Sequence, residues 1–101
     1  MPCLGEKFIC GGQEFWCGGF LPSKNQVLLH CGFAAITVPL ENFDAVFQRV
    51  GALQVEGTYL AQHSYNSIVE GNEYEVTAIN GDQITLSTGE TISFALFAAL
   101  F

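Results

Sequence analysis

Residues Gly71 to Phe101 read GNEYEVTAINGDQITLSTGETISFALFAALF, the pattern of three short antiparallel strands followed by an apolar end. Apolar and polar residues alternate through Tyr74 and Val76, which is typical of a half-buried strand. Asn80-Gly81 predicts a tight hairpin because both residue types tolerate positive φ. Thr88-Gly89-Glu90 predicts a second turn. The stretch therefore predicts a β-meander.

The pattern of this stretch occurs a second time upstream, within residues 12–47. Four segments of the two copies match in order: 12–15 on 71–74, 26–32 on 83–89, 36–40 on 92–96 and 43–47 on 97–101. The gaps fall where turns are expected, and turns tolerate insertions. The sequence is therefore predicted to contain an internal duplication.

The length of 101 residues leaves room for one domain or for two very small ones that share a core. We expect two units, residues 1–50 and 55–101. Half of the residues are hydrophobic and nine are Phe, which is ample for a folded core. Units of about fifty residues are marginally stable alone, so we expect them to pack together.

One segment has a helical rather than a strand period. Phe43, Val46, Phe47 and Val50 recur at the spacing of one helix face, with Pro39 before them and Gly51 after them. We therefore predict one short amphipathic helix, or a 3₁₀-to-α turn, near residues 41–49. Its counterpart at 97–101 is shorter, and we expect a truncated turn there.

The second copy is predicted to open with a strand at 57–62, followed by a polar loop, a G-x-E-aromatic strand at 71–74, a hairpin and a closing turn. This succession resembles the small SH3-like barrels found in many bacteriophage and prophage genomes. The resemblance covers 55–101 and, with longer loops, 7–47. It implies an all-β fold of two tandem SH3-like barrel units packed together, with one short helix. It also implies a non-catalytic module that binds proteins, peptides or nucleic acid.

The chain is acidic, with ten carboxylates against three basic residues, Lys7, Lys24 and Arg49, and a formal charge of −7. Because phosphate contacts need Lys or Arg, we expect no direct binding of nucleic acid. An acidic chain can instead face a basic partner or mimic nucleic acid. Charged residues are only 13% of the chain, which is sparse for a mimic. The acidity can also serve solubility alone.

No run of the sequence approaches the ~20 apolar residues that a membrane span needs. The start, Met1 to Glu6, lacks the features of a signal peptide. We therefore expect a cytoplasmic protein, in the host cell if phage-encoded, without a membrane partner.

The first third of the sequence contains four cysteines, Cys3, Cys10, Cys17 and Cys31, and His30 beside the last. Zinc sites usually use C-x₂₋₄-C pairs, and none occurs here. The duplication aligns Cys10 with Val69 and Cys17 with Val76, both apolar positions. We therefore predict core thiols and no metal or other cofactor. A zinc- or thiol-dependent function and disulfides are the alternatives.

Two histidines, His30 and His63, are the residue type that most often serves as a general base. Adjacent strand residues point to opposite faces, so His30 and Cys31 should not meet. His63 lies in a polar loop without an evident partner. The sequence therefore predicts no enzyme.

Exposed residues suggest where a partner could bind. Trp16 matches Glu75 of the second copy, a position predicted to be exposed, and an exposed Trp is a typical interface anchor. Glu73 and Glu75 share one predicted strand face, suited to a basic partner. The predicted contact residues are Trp16, Glu73, Glu75, Pro22, Ser23, Lys24 and Asn25. We expect a phage or mobile-element protein that inhibits a host protein, of anti-defence type; a homodimer stays open.

Overall fold

The computed structural model describes residues 2–101 and divides the chain into two compact units, Met1–Leu53 and Gln54–Phe101. We call them unit 1 and unit 2. Both are built mainly of antiparallel strands, so the predicted β-rich fold is confirmed. No helix within residues 2–101 is long and apolar enough to cross a bilayer.

Unit 1 is a five-stranded antiparallel sheet with one short helix. Its elements are β1 Glu6–Cys10, β2 Gln13–Leu21, β3 Gln26–Cys31, β4 Ala34–Pro39, α1 Phe43–Val46 and β5 Gln48–Ala52. The strand order is β4-β3-β2-β1-β5, so the last strand returns to pair with the first.

Unit 2 is a four-stranded antiparallel sheet followed by a helix. Its elements are β6 Thr58–Leu60, β7 Glu73–Asn80, β8 Gln83–Leu86, β9 Thr91–Ser93 and α2 Phe94–Leu100. The strand order is β6-β7-β8-β9, which makes β6 an edge strand.

The turns are close to their predicted places. Asn80 pairs with Gln83, so the two-residue hairpin loop is Gly81-Asp82 rather than Asn80-Gly81, and Gly81 takes the positive φ of 62°. Strand β2 is bulged between Cys17 and Gly19, at the pair Gly18-Gly19, and glycine inside a strand is typical of a bulge. The β7–β8 ladder has a corresponding bulge between residues 76 and 78.

A short helix lies within residues 41–49, as predicted, but it is only one turn long. Helix α1 covers only Phe43–Val46, and Gln48–Ala52 form strand β5 on the edge of β1. Val46 and Val50, read as part of a buried face, are 55% and 49% exposed. Ladder bonds to β1 are available only in the folded chain, and they override the local helical period.

The second helix is longer than its counterpart, contrary to the predicted truncated turn. Helix α2 begins at Phe94, directly after β9, where the Ser93 side chain accepts a hydrogen bond from Leu96 N at 3.2 Å. The Ala- and Leu-rich sequence that follows favours helix, and Ser93 supplies the N-cap.

Four aromatic rings form the centre of unit 1. Phe43 and Phe47 stack with centroids 4.8 Å apart. Phe8 packs edge-on against Phe43 at 5.0 Å, and Phe15 packs edge-on against Phe47 at 5.6 Å. Such edge and stacked pairs stabilise a core beyond the area they bury.

Unit 2 repeats this arrangement with four other rings. Phe97 and Phe101 stack at 4.6 Å, Tyr59 packs edge-on against Phe97 at 5.6 Å, and Tyr74 packs edge-on against Phe101 at 6.2 Å. The strand registers agree with the rings, since Phe8 pairs with Phe15 in unit 1 and Tyr59 with Tyr74 in unit 2. Residues at the same place in the two registers are called counterparts below.

The registers correct one part of the sequence alignment. Val38 pairs with Val27 in unit 1, and Ile92 pairs with Ile84 in unit 2. Residues 37–47 therefore match 91–101 without a gap, and the match of 36–40 on 92–96 was two residues off. A shift of two leaves every side chain on the same face, so the apolar pattern could not reveal the error.

Candidate functional site

The outward side of the β6–β7 ladder in unit 2 carries two carboxylates. Glu75 pairs with Thr58 and Glu73 with Leu60, and paired residues present their side chains on the same face of a sheet. We call these four residues the acidic face. Both carboxylates are exposed, as the strand alternation predicts.

Hydrogen bonds that involve side chains connect β7 to the segments on either side of it. The Tyr74 hydroxyl accepts a hydrogen bond from Val69 N at 2.8 Å, and Ser87 Oγ accepts one from Glu75 N at 3.3 Å. Thr77 donates to the carbonyl of Thr85 at 3.3 Å. The two carboxylates thus extend from a strand that is tied on both sides.

The counterpart surface in unit 1 is chemically different. Lys7 is the counterpart of Thr58, Glu14 of Glu73, and Trp16 of Glu75. Lys7 Nζ lies 3.1 Å from the Glu14 carboxylate and 4.9 Å from the centroid of the Trp16 ring. The carboxylate of unit 1 therefore has a cation beside it on its own sheet face.

The predicted exposure of Trp16 is wrong. The residue does lie on the outward side of its strand, opposite Lys7, but it is only 5% exposed. The amphipathic Lys7 chain extends its ammonium group over the indole, an arrangement that the counterpart Glu75 does not share. A buried indole cannot serve as the exposed anchor predicted from the sequence.

The two units differ strongly in charge. Unit 1 contains four carboxylates and all three Lys and Arg residues, whereas unit 2 contains six carboxylates and no Lys or Arg. With Thr58 in place of Lys7, no ammonium group of unit 2 can neutralise Glu73. Such a one-signed surface attracts basic groups over roughly the Debye length of about 8 Å at physiological salt.

The predicted contact loop is an exposed turn between β2 and β3. It comprises Pro22, Ser23, Lys24 and Asn25, all exposed. Lys24 N donates to the carbonyl of Leu21 at 3.2 Å, and Asn25 takes a φ of 51° while its carbonyl accepts from Leu40 N at 2.9 Å. The loop belongs to unit 1 and the acidic face to unit 2, so the predicted contact residues are divided between the two units.

The four cysteines occupy different environments, from exposed to fully buried. Cys17 is buried in the core of unit 1, as predicted, and burial raises the pKa of its thiol. Cys10 packs against that core, and Cys31 Sγ accepts from Gln13 Nε2 at 2.8 Å. Cys3 is exposed, so the core assignment is wrong for it. Within residues 2–101, no group of three or more His, Cys, Asp or Glu residues could hold a metal ion.

The His30 ring packs over a glycine of the β2 bulge. A Cβ atom built on Gly18 would lie 2.6 Å from His30 Nε2, so only glycine leaves room for the ring. Burial lowers the pKa of His30. His30 thus packs at the bulge while Cys31 contacts Gln13, in line with the expectation that the two do not act together.

A cleft of 610 Å³ beside α1 was not anticipated from the sequence. Its lining residues come from the chain start, β1, α1 and the beginning of β5. Arg49 and Glu6 both line the cleft, and Arg49 Nε lies 2.5 Å from the Glu6 carboxylate. The guanidinium group in the cleft is therefore already paired. The cleft lies where α1 ends after one turn and β5 pairs with β1. Neither the end of α1 nor this strand pairing is indicated by the local sequence.

Comparisons with protein families, with curated proteins and with solved structures found no match to this sequence.

Proposed function

We propose that this protein is a non-catalytic protein-binding module and that the acidic face of unit 2 contacts a basic surface of its partner. One observation carries the proposal: on matching sheet faces, unit 1 has Lys7 beside its carboxylate and unit 2 has Thr58. Glu73 and Glu75 thus have no lysine of their own sheet face beside them, and a basic group of a partner can take that place.

We further propose that each unit is a small SH3-like barrel and that the pair arose by duplication. The matched aromatic rings, the matched bulges and the succession of opening strand, hairpin and short helix support both ideas. On the resemblance to bacteriophage barrels, the partner is a host protein that binding inhibits.

Mimicry of nucleic acid receives less support than contact with a basic protein surface. Glu73 and Glu75 are two residues apart on one strand face, a separation of about 7 Å. Only these two carboxylates lie on the face, and Glu90 is engaged with the Ser67 hydroxyl. A mimic needs a longer row of charges to match a phosphate backbone.

The proposal can be tested by affinity capture with the full-length protein. Wild type is compared with the double variant Glu73→Gln/Glu75→Gln, and the captured proteins are quantified by mass spectrometry. The matched control is Glu41→Gln/Asp44→Gln, which removes the same charge from exposed positions of unit 1.

We expect a defined partner that the control retains and the acidic-face variant loses by about tenfold or more. Equal capture by both variants would remove the acidic face as the contact. The absence of any protein enriched by wild type would contradict the binding function itself.

A further inference from the structure

We propose that unit 2 takes up an extended basic segment of a partner protein as an added strand, antiparallel to β6. The inference rests on the proposed function and specifies how the partner binds. It starts from the difference between two counterpart edges, one paired within the chain and the other open.

In unit 1 this edge is already occupied. Strand β5 pairs antiparallel with β1 from Glu6 to Ile9, and Leu53 N extends the contact by donating to the Gly5 carbonyl at 2.7 Å. The counterparts of these β1 residues are residues 57–60 of unit 2. Within residues 2–101, no strand pairs with that side of β6.

The direction of the backbone groups identifies the open positions. The Gly57 carbonyl accepts from Val76 N at 2.9 Å, and Ala61 N donates to the Asn72 carbonyl at 2.9 Å, so odd-numbered residues bond to the β7 side. Thr58 and Leu60 therefore direct their N–H and C=O groups outward. The next outward amide, Gln62 N, already donates to Leu100 O at 2.6 Å.

The side chains of β6 leave this edge accessible. Natural edge strands are usually protected by charged residues, proline or a covering segment. Strand β6 consists of Thr58, Tyr59 and Leu60, without charge or proline, and Leu60 is 46% exposed. An edge without charge or proline can pair with an incoming strand, in which main-chain bonds supply affinity.

The charge of the acidic face determines which strand fits. In unit 1, Gly51 of β5 lies opposite Lys7 and adds no side chain to that face. A Lys or Arg at the matching place of an added strand would lie opposite Thr58 on the acidic face. Strand β7 lies two strand spacings, about 9.6 Å, from an added strand, and a long basic side chain and a glutamate side chain together can bridge that distance. The occupant is therefore a basic extended segment.

The test uses the full chain and a short capped peptide of alternating Lys and Thr, with a Glu-for-Lys peptide as its control. Binding is measured by fluorescence anisotropy, and the site by amide hydrogen exchange with and without peptide. We expect the Lys peptide to bind, to protect the Thr58 and Leu60 amides, and to outcompete the Glu peptide.

Two variants probe the two halves of the inference. Thr58→Lys copies unit 1 by placing a lysine beside Glu73, and we expect about fivefold or greater weakening of the Lys peptide. Ala95→Lys, at an exposed position of α2, makes the same charge change and should bind within about twofold of wild type. Leu60→Pro removes an outward N–H without breaking a hydrogen bond between β6 and β7. We expect it to weaken both the binding of the Lys peptide and the exchange protection of the Thr58 amide.

Peptide binding without protection of these amides would overturn strand addition and leave only charge attraction. Self-association of the protein that Leu60→Pro abolishes would assign the edge to a second copy of this chain instead. Failure of the peptide to bind, while capture still depends on Glu73 and Glu75, would overturn the added strand and leave the proposed function standing.

Discussion

Lys7 and Glu14 form an ion pair of 3.1 Å on the outward face of unit 1, although Lys7 stands opposite Trp16 in the strand register rather than opposite Glu14. The lysine therefore serves two neighbours, neutralising a carboxylate and covering an indole. In unit 2 the same diagonal joins Thr58 and Glu73. The contrast within one chain leads to the first prediction.

Replacing Lys7 with Thr should make unit 1 resemble unit 2 on this face. The single Trp of the protein reports the change directly. We expect a red shift of its emission and faster quenching by acrylamide, with a stability loss of roughly 0.5–1 kcal/mol because the ion pair is partly exposed. Lys24→Thr, in the exposed turn, is the matched control. Unchanged quenching would mean that Lys7 does not cover the indole.

Adding a methyl group at Gly18 should destabilise the protein. The new Cβ of Gly18→Ala would lie 2.6 Å from His30 Nε2, so the ring must move. We expect a loss of about 1–3 kcal/mol in the free energy of unfolding, measured by urea denaturation. Gly51→Ala meets nothing within 4 Å and should stay within about 0.5 kcal/mol of wild type. Equal midpoints for the two variants would contradict this account of the bulge.

The stability of the protein should fall in mild acid because of His30. Burial lowers the pKa of His30 below its ordinary value near 6.5, so the unfolded chain binds a proton more readily than the folded one. The stability that the neutral, buried imidazole contributes is complete above about pH 6.5. It is lost as the pH falls toward the lowered pKa that His30 has in the folded protein. His30→Gln should flatten the pH dependence of the urea midpoint between about pH 5 and 7. An unchanged slope would contradict the burial of this imidazole.

The cysteines should differ in reactivity in the order of their exposure. Cys17 is buried and burial raises the pKa of its thiol, so little thiolate is accessible near neutral pH. Cys3 is exposed and should be alkylated first by iodoacetamide, followed by Cys10 and Cys31, with Cys17 last. Peptide mapping over time gives the order, and urea-unfolded protein is the control in which the four rates should converge. Rapid labelling of Cys17 in the native state would contradict its place in the core.

Several parts of the fold could be predicted because their causes are local. The residue pattern of Gln26–Cys31 predicts strand β3. Gly81, next to Asn80, predicts the β7–β8 hairpin, and Gly18-Gly19 indicates the bulge in β2. The exposure of Glu73 and Glu75 follows from the same period of two. Each of these depends on neighbours only a few residues away.

Other parts could not be predicted because their causes are distant in the chain. The helical apolar period that starts at Phe43 continues to Val50, yet residues 48–52 form β5 because β1, about forty residues earlier, offers an unpaired edge. Trp16 occupies an outward strand position, yet it is buried, with the Lys7 ammonium group of the next strand 4.9 Å from its ring centroid. Local pattern states which way a side chain points, but not what covers it.

Local periodicity and turn chemistry are sufficient to predict the β7–β8 hairpin and the placement of both carboxylates on one side of β7. The pairing of distant strands is needed to place Lys7 beside Glu14 and Thr58 beside Glu73, and to fill the β1 edge while the β6 edge is open. Both depend on which strands pair. Strand pairing joins backbone groups far apart in sequence, and a register shift of two residues leaves every apolar side chain on the same face.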